Sequence, residues 1–140
     1  MLEELAEKFV RQSGLSYWLI VYGLIVVGGL VGWIWSALSG RRARLGQAPF
    51  FVRLCLAILF LCVAQMASFK SPEAMAWMVT TRLAILLAAS SLLGGVYIGR
   101  IAAARSLDAF GHMNGTPLVF VPVANILLAL MADRKSTRLN

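Results

Sequence analysis

The sequence predicts an all-α membrane protein, in which four transmembrane helices follow a short amphipathic N-terminal helix. Of its 140 residues, 60% are hydrophobic and 14% are charged, whereas a soluble domain is about half apolar and about one-quarter charged. A small soluble domain buries only about two-thirds of the surface that its unfolded chain exposes, so the excess apolar surface requires lipid. The apolar residues also form runs long enough to span a bilayer.

The basic residues lie mostly between these apolar runs. The chain has 13 Lys and Arg against 6 Asp and Glu, a formal charge of +7. Positive charge in these positions orients helices and meets anionic lipid, so the predicted partner is the lipid bilayer and not nucleic acid. Residues 41–53 and 100–105 together carry six basic residues, and the opposite side carries four: Lys8, Arg11, Lys70 and Arg82. This difference predicts an N-terminus outside the cytoplasm.

Residues 1–14 are the amphipathic N-terminal segment. On a helix over residues 2–11, the apolar side chains share one face and most charged side chains share the other. About three turns are too few for a stable isolated helix in water, so we expect this helix to lie on the membrane surface. Its three Glu residues occupy the place where a cleavable signal peptide carries positive charge, so no such peptide is predicted.

The transmembrane bundle is predicted over residues 15–132. Its first span, residues 16–38, contains no charged residue and is long enough to cross a hydrocarbon core of about 30 Å. Aromatic residues near its two ends suit the membrane interfaces: Tyr17, Trp18, Trp33 and Trp35. The second and third spans are predicted at about residues 49–69 and 76–99. Each carries one Arg near its start, whose long side chain can extend towards the headgroups.

The fourth predicted span is short. It covers residues 117–132, after a polar connection from residue 100 to residue 116, and it is interrupted by Pro122 and Asn125. Sixteen residues are marginal for crossing a bilayer. We therefore expect this helix to be incomplete in the sequence as it stands.

The last eight residues are not expected to belong to the protein. Residues 133–140 are, codon for codon, the translation of GATCGGAAGAGCACACGTCTGAAC, which resembles the start of a common short-read sequencing adapter. We interpret them as adapter read-through after a truncated gene. Setting them aside removes three basic residues and one acidic residue and would leave the fourth helix cut at Ala132.

Small residues recur at every fourth position along two of the predicted helices. They form one ridge in the first span and another from the third span onwards: Gly28, Gly32, Ser36 and Gly40, and Ser91, Gly95, Gly99 and Ala103. Small residues at this spacing allow two helix backbones to approach closely in lipid. The ridges therefore predict either packing inside one bundle or an interface between copies of the chain.

The sequence contains no recognisable catalytic, cofactor-binding or metal site. No Asp or Glu falls inside a predicted span, although proton-coupled transport usually needs such a group. His112 is the only histidine, and Cys55 and Cys62 are about two helical turns apart, too far for a mutual disulfide. Arg105 and Asp108, three residues apart, are predicted to pair as a tie in the polar connection.

Residues 105–128 resemble the conserved end of a family of small bacterial inner-membrane proteins, the domain of unknown function 805 family. The resemblance rests on Arg105, Asp108 and Gly111, followed by a helix that opens around Pro122. It implies a bacterial inner-membrane protein with several spans and no assigned chemistry. The chain has one extra residue between Asp108 and Gly111, and residues 113–117 lack the tryptophans usual in the family, so another bacterial family with a similar closing hairpin is an alternative.

These observations predict a non-enzymatic accessory or assembly subunit, whose partner is a second copy or another membrane protein. The alternative is a small transporter or channel, which needs a polar path between helices. A third hypothesis, an enzyme, would need catalytic residues beyond the expected truncation at Ala132. The transporter hypothesis requires four polar side chains to converge on one water-accessible cavity: Gln65, Thr80, Thr81 and Asn125.

Overall fold

A computed structural model describes residues 1, 4–5, 15–40, 44–69, 77–121 and 123–130. In this part of the chain all regular secondary structure is helical. In chain order, the elements are α1 (Leu15–Leu38), α2 (Gln47–Phe69), α3 (Trp77–Ala109), a 3-10 helix (Met113–Phe120) and α4 (Ala124–Leu130). The predicted N-terminal amphipathic helix lies outside the described residues apart from Glu4 and Leu5, and residues 131–140 lie outside them entirely.

Three of the helices are long and apolar enough to cross a membrane. These candidate spans are Trp18–Leu38, Gln47–Met66 and Ala84–Ala109. The predicted all-helical class is confirmed, and α1 and α2 begin and end within two residues of the predicted first and second spans. The described residues contain three candidate spans, and the fourth span predicted over residues 117–132 is not confirmed among them.

Helix α3 is longer than the sequence predicted. We expected it to end near residue 99, but it continues to Ala109 and is about 50 Å long at 1.5 Å per residue. The prediction of a polar connection from residue 100 was therefore wrong for its first ten residues. The polar side chains that suggested a loop are accommodated inside the helix, since Arg105 and Asp108 bond to each other.

The predicted fourth span is not a single helix in the described residues. Residues 113–120 form a 3-10 helix that includes Pro117, and α4 is described over Ala124–Leu130. A proline lacks the amide hydrogen of a regular helix and clashes with the preceding turn.

Helix α3 is the centre of the fold. Its most extensive contacts are with α1, and it also packs against α2 and the 3-10 helix, whereas α1 and α2 hardly touch each other. Ile25 of α1 lies beside Gly95 of α3, and Gly29 lies beside Gly99. The residue numbers of these contacts increase in the same direction along both helices, so α1 and α3 are parallel.

The core forms where α2, α3 and the 3-10 helix meet. Its buried residues are Leu45, Phe50, Ala57, Leu61, Ile98, Ile101, Ala102 and Val119. The amide of Leu45 donates to the carbonyl of Ala104 at 3.2 Å, which holds the connection between α1 and α2 against α3. Many large apolar side chains of the candidate spans are exposed, as expected for surface that faces lipid.

Candidate functional site

The two predicted ridges of small residues face each other in α1 and α3. A Cβ added to Gly28 would overlap the backbone of Leu92, and one added to Gly32 would overlap the backbone of Val96. From the other side, a Cβ on Gly95 or Gly99 would overlap the backbone of α1. Four of the eight ridge residues therefore lie in a single contact within one chain, where backbones approach closely because no side chain separates them, and a fifth, Ala103, is fully buried.

The other three predicted packing residues have different surroundings. The Ser36 hydroxyl donates to the carbonyl of Gly32 at 2.9 Å within α1. Gly40 follows the end of α1 with φ of 63° and has open space where a Cβ would stand, so it serves the chain turn and not helix packing. Ser91 is fully buried and faces α2.

The contacts that join helix α2 to α3 include a side-chain hydrogen bond and a leucine packed on a glycine. The side-chain amide of Gln65 donates to the Ser91 hydroxyl at 3.3 Å, and that hydroxyl donates to the carbonyl of Leu87 at 2.8 Å. Leu61 covers Gly94, whose added Cβ would lie 2.6 Å from the leucine Cδ2. Burial of an amide in an apolar span is tolerated because it is hydrogen-bonded.

A cleft opens between α1 and α2, which both pack against α3 but hardly touch each other. It has a volume of about 550 Å³, within the usual range for binding sites of small molecules. Most of the lining is apolar: Trp18, Val21, Tyr22, Ile25, Leu54, Ile58, Leu61, Cys62, Gln65, Met66, Ile98, Val119, Phe120 and Asn125. Val119, Phe120 and Asn125 come from the 3-10 helix and α4, so the segment after α3 contributes one side of the cleft.

The 3-10 helix is held to α1 by aromatic residues. The Tyr22 hydroxyl donates to the backbone carbonyl of Phe120, and the Phe120 ring occupies the space beside Gly29, where an added Cβ would overlap it. Sequence reasoning missed Tyr22 and Phe120 as cleft-lining residues and Gly29 as the position that the Phe120 ring covers. Gly29 does lie next to the recognised ridge, but a single glycine gives no signal for which aromatic ring covers it.

Two of the four polar residues required for a polar path lie in this cleft. Gln65 is buried at its wall and Asn125 is partly buried at the α4 side. The side chains of Thr80 and Thr81 lie outside the described residues. Within the described part of the chain, two amides and the Tyr22 hydroxyl therefore lie among mainly aliphatic and aromatic groups.

Arg105 and Asp108 form an ion pair at the C-terminal end of α3. Their side chains are 3.2 Å apart from Nη1 to Oδ2, with relative exposures of 0% and 4%. Val96 contacts Gly28, which lies at the middle of the first candidate span. Arg105 lies nine residues beyond Val96, or about 14 Å further along the helix. The pair therefore lies near the edge of a hydrocarbon core about 30 Å thick. The two residues pair as predicted, but they lie within α3 and not in a connection.

The turn after α3 is built around Ser106. Its hydroxyl donates to the carbonyl of His112 at 2.8 Å and accepts from the amide of Gly115 at 3.0 Å. Gly111 has φ of 80°, a left-handed conformation that commonly ends helices at glycine. His112 stacks on Phe110 with ring centroids 5.8 Å apart, so this histidine has a packing contact in the turn.

Among the described residues, no group of three or more His, Cys, Asp and Glu side chains is placed to hold a metal ion. Every buried side-chain nitrogen and oxygen of these residues has a hydrogen-bond partner.

No known family model matches the chain, and comparison with curated proteins and with solved structures finds no match. The function must therefore be argued from the cleft and its surroundings.

Proposed function

We propose that the chain is a non-enzymatic integral membrane protein that serves as an accessory or assembly subunit and contacts its partner through the cleft between α1 and α2. The observation that carries this proposal is the near absence of contact between these two helices, which leaves an open, mainly apolar cleft of about 550 Å³. Partner helices in lipid associate by close packing, with occasional side-chain hydrogen bonds. The cleft offers both, through its aliphatic walls and through Gln65 and Asn125.

The small-residue ridges support the cleft as the contact surface. Gly28 and Gly32 of α1 are already covered by α3, and Gly95 and Gly99 of α3 are covered by α1. Self-association through either ridge would have to replace this contact within the chain. The exposed apolar surface of α2 has no such cover among the described residues.

Location and orientation belong to the same proposal. The resemblance of residues 105–128 to the domain of unknown function 805 family is the basis for proposing a bacterial inner membrane. The excess of basic residues in 41–53 and 100–105 is the basis for an N-terminus outside the cytoplasm. The surface helix expected from the sequence of residues 2–11 stays a part of this proposal.

Site-specific photo-crosslinking in the native membrane tests the proposal. A photoreactive amino acid replaces Ile58, which lines the cleft, or its neighbour Leu59, which is exposed but lies outside it. We expect a discrete protein adduct from position 58 and only lipid adducts from position 59. Lipid adducts alone from both positions would contradict a protein partner in the cleft.

A small transporter is the second candidate, favoured by the presence of Gln65 and Asn125 in one cavity. It requires the cleft to hold water. The two free cysteines test this, because both are exposed but only Cys62 lines the cleft. A membrane-impermeant, charged thiol reagent that modifies Cys62 and spares Cys55 would favour a transporter. Equal protection of both thiols would oppose one.

A further inference from the structure

A second pocket lies where α1, α2 and α3 meet, on the side of the bundle that holds the connection between α1 and α2. Its volume is about 320 Å³, and five of its nine lining residues are polar or charged: Ser36, Ser39, Arg53, Tyr97 and Arg100. All three candidate spans contribute to it. This composition contrasts with the cleft, whose lining is mainly aliphatic and aromatic.

The two arginines lie within the candidate spans, where a charged group is costly without compensation. Arg53 falls inside Gln47–Met66, and Arg100 falls inside Ala84–Ala109. Arg100 is four residues beyond Val96, or about 6 Å along the helix from the contact with Gly28. Both side chains are exposed, so they can extend towards the nearer headgroup layer.

No described acidic residue balances these charges. The acidic residues in the described part of the chain are Glu4 and Asp108, and Asp108 is buried beside Arg105 at 3.2 Å. Arg53 and Arg100 make no hydrogen bond or ion pair with another described residue. The pocket is therefore positively charged, and its complement is an anion.

We infer that this pocket binds the phosphate of an anionic phospholipid headgroup. A guanidinium group pairs with phosphate through two parallel hydrogen bonds, and basic pockets between transmembrane helices are sites for anionic headgroups. The arginine side chains at this pocket are long enough to reach from the hydrocarbon core to the headgroup layer. The Tyr97 hydroxyl at the pocket wall can donate a further hydrogen bond. This inference is independent of the partner proposed for the cleft.

The test measures thermal stability of the purified protein in mild detergent during titration with phosphatidylglycerol, with phosphatidylcholine as the zwitterionic comparison. We expect phosphatidylglycerol to raise the melting temperature at lower concentrations than phosphatidylcholine. Arg53→Gln and Arg100→Gln should each weaken the apparent affinity about tenfold or more, since each removes charge-assisted hydrogen bonds. Both side chains are exposed, so the variants should keep the melting temperature of the lipid-free protein.

Arg44→Gln is the matched control, because Arg44 is exposed in the connection between α1 and α2 but does not line the pocket. It should change the apparent affinity less than twofold. An equal loss in all three variants would overturn the inference in favour of general attraction to anionic lipid. Inorganic phosphate that reproduces the full stabilisation would overturn the lipid assignment and show a free-phosphate site. Indistinguishable titrations with the two lipids would also overturn it.

Discussion

Gly99 in α3 lies directly against the backbone carbonyl of Gly29 in α1, so that a Cβ on Gly99 would overlap it. The same close approach recurs at Gly95 beside Ile25 and at Gly32 beside Val96. Lipid tails are as apolar as leucine, so helix association in a membrane depends on such packing and not on the hydrophobic effect between helices. This contact fixes α1 to α3 and leaves the space beside α2 open.

The first prediction concerns this contact. Gly32→Leu should destabilise the protein by about 1–3 kcal/mol or more, because the added side chain meets the Val96 backbone and must separate the helices. Gly23→Leu is the control in the same helix, since nothing lies within 4 Å of its added Cβ. Thermal unfolding in detergent measures both. Equal melting temperatures for the two variants would show that α1 and α3 do not pack through this ridge.

The second prediction concerns the buried ion pair. Asp108→Asn should cost about 3–5 kcal/mol, because it leaves the Arg105 guanidinium buried without its counter-charge. The double variant Arg105→Met with Asp108→Leu should recover part of this loss, since it removes both charges and keeps apolar volume. Arg100→Met, at an exposed position of the same helix, is the control. Denaturation midpoints that fall equally for Asp108→Asn and the control would exclude a structural role for the pair.

The third prediction concerns the link between α2 and α3. Ser91→Ala removes the hydroxyl that accepts from Gln65 and should cost about 0.6 kcal/mol, with an upper bound near 1.7 kcal/mol, as for other hydrogen bonds between membrane helices. Ser36→Ala removes a hydroxyl that bonds only within its own helix among the described residues, and it should have a smaller effect. Hydrogen exchange of α2 amides provides the readout. Faster exchange in α2 for Ser36→Ala than for Ser91→Ala would contradict the assignment.

Hydropathy and spacing were sufficient for much of the fold. The uncharged run 16–38 and the apolar run 49–69 predicted α1 and α2 closely, because length and apolarity alone determine a spanning helix. The recurrence of small residues at every fourth position also identified Gly28, Gly32, Gly95 and Gly99 as a group. It left open whether the two ridges contact each other or another copy of the chain.

The end of α3 and the segment after it were beyond these signals. Hydropathy treats Arg105 and Asp108 as two charges in a loop, whereas in the structure each compensates the other inside a helix. The apolar content of residues 117–132 suggested a span, but the break after Phe120 depends on local backbone geometry. The cleft could not be predicted either, since it depends on how α1 and α2 are placed around α3 and not on any residue pattern.

The central claim is that a protein partner occupies the cleft between α1 and α2. The most direct measurement is the native mass of the complex extracted from its own membrane in mild detergent. A cleft-filling variant, Ile58→Trp with Cys62→Trp, is compared with Leu59→Trp and Val63→Trp, whose positions are exposed on the same helix outside the cleft. We expect the wild type and the control to carry a bound second copy or another protein, and the cleft-filling variant to have the mass of the single chain. A partner that stays bound to the cleft-filling variant, or a wild type that is a bare single chain, would contradict it.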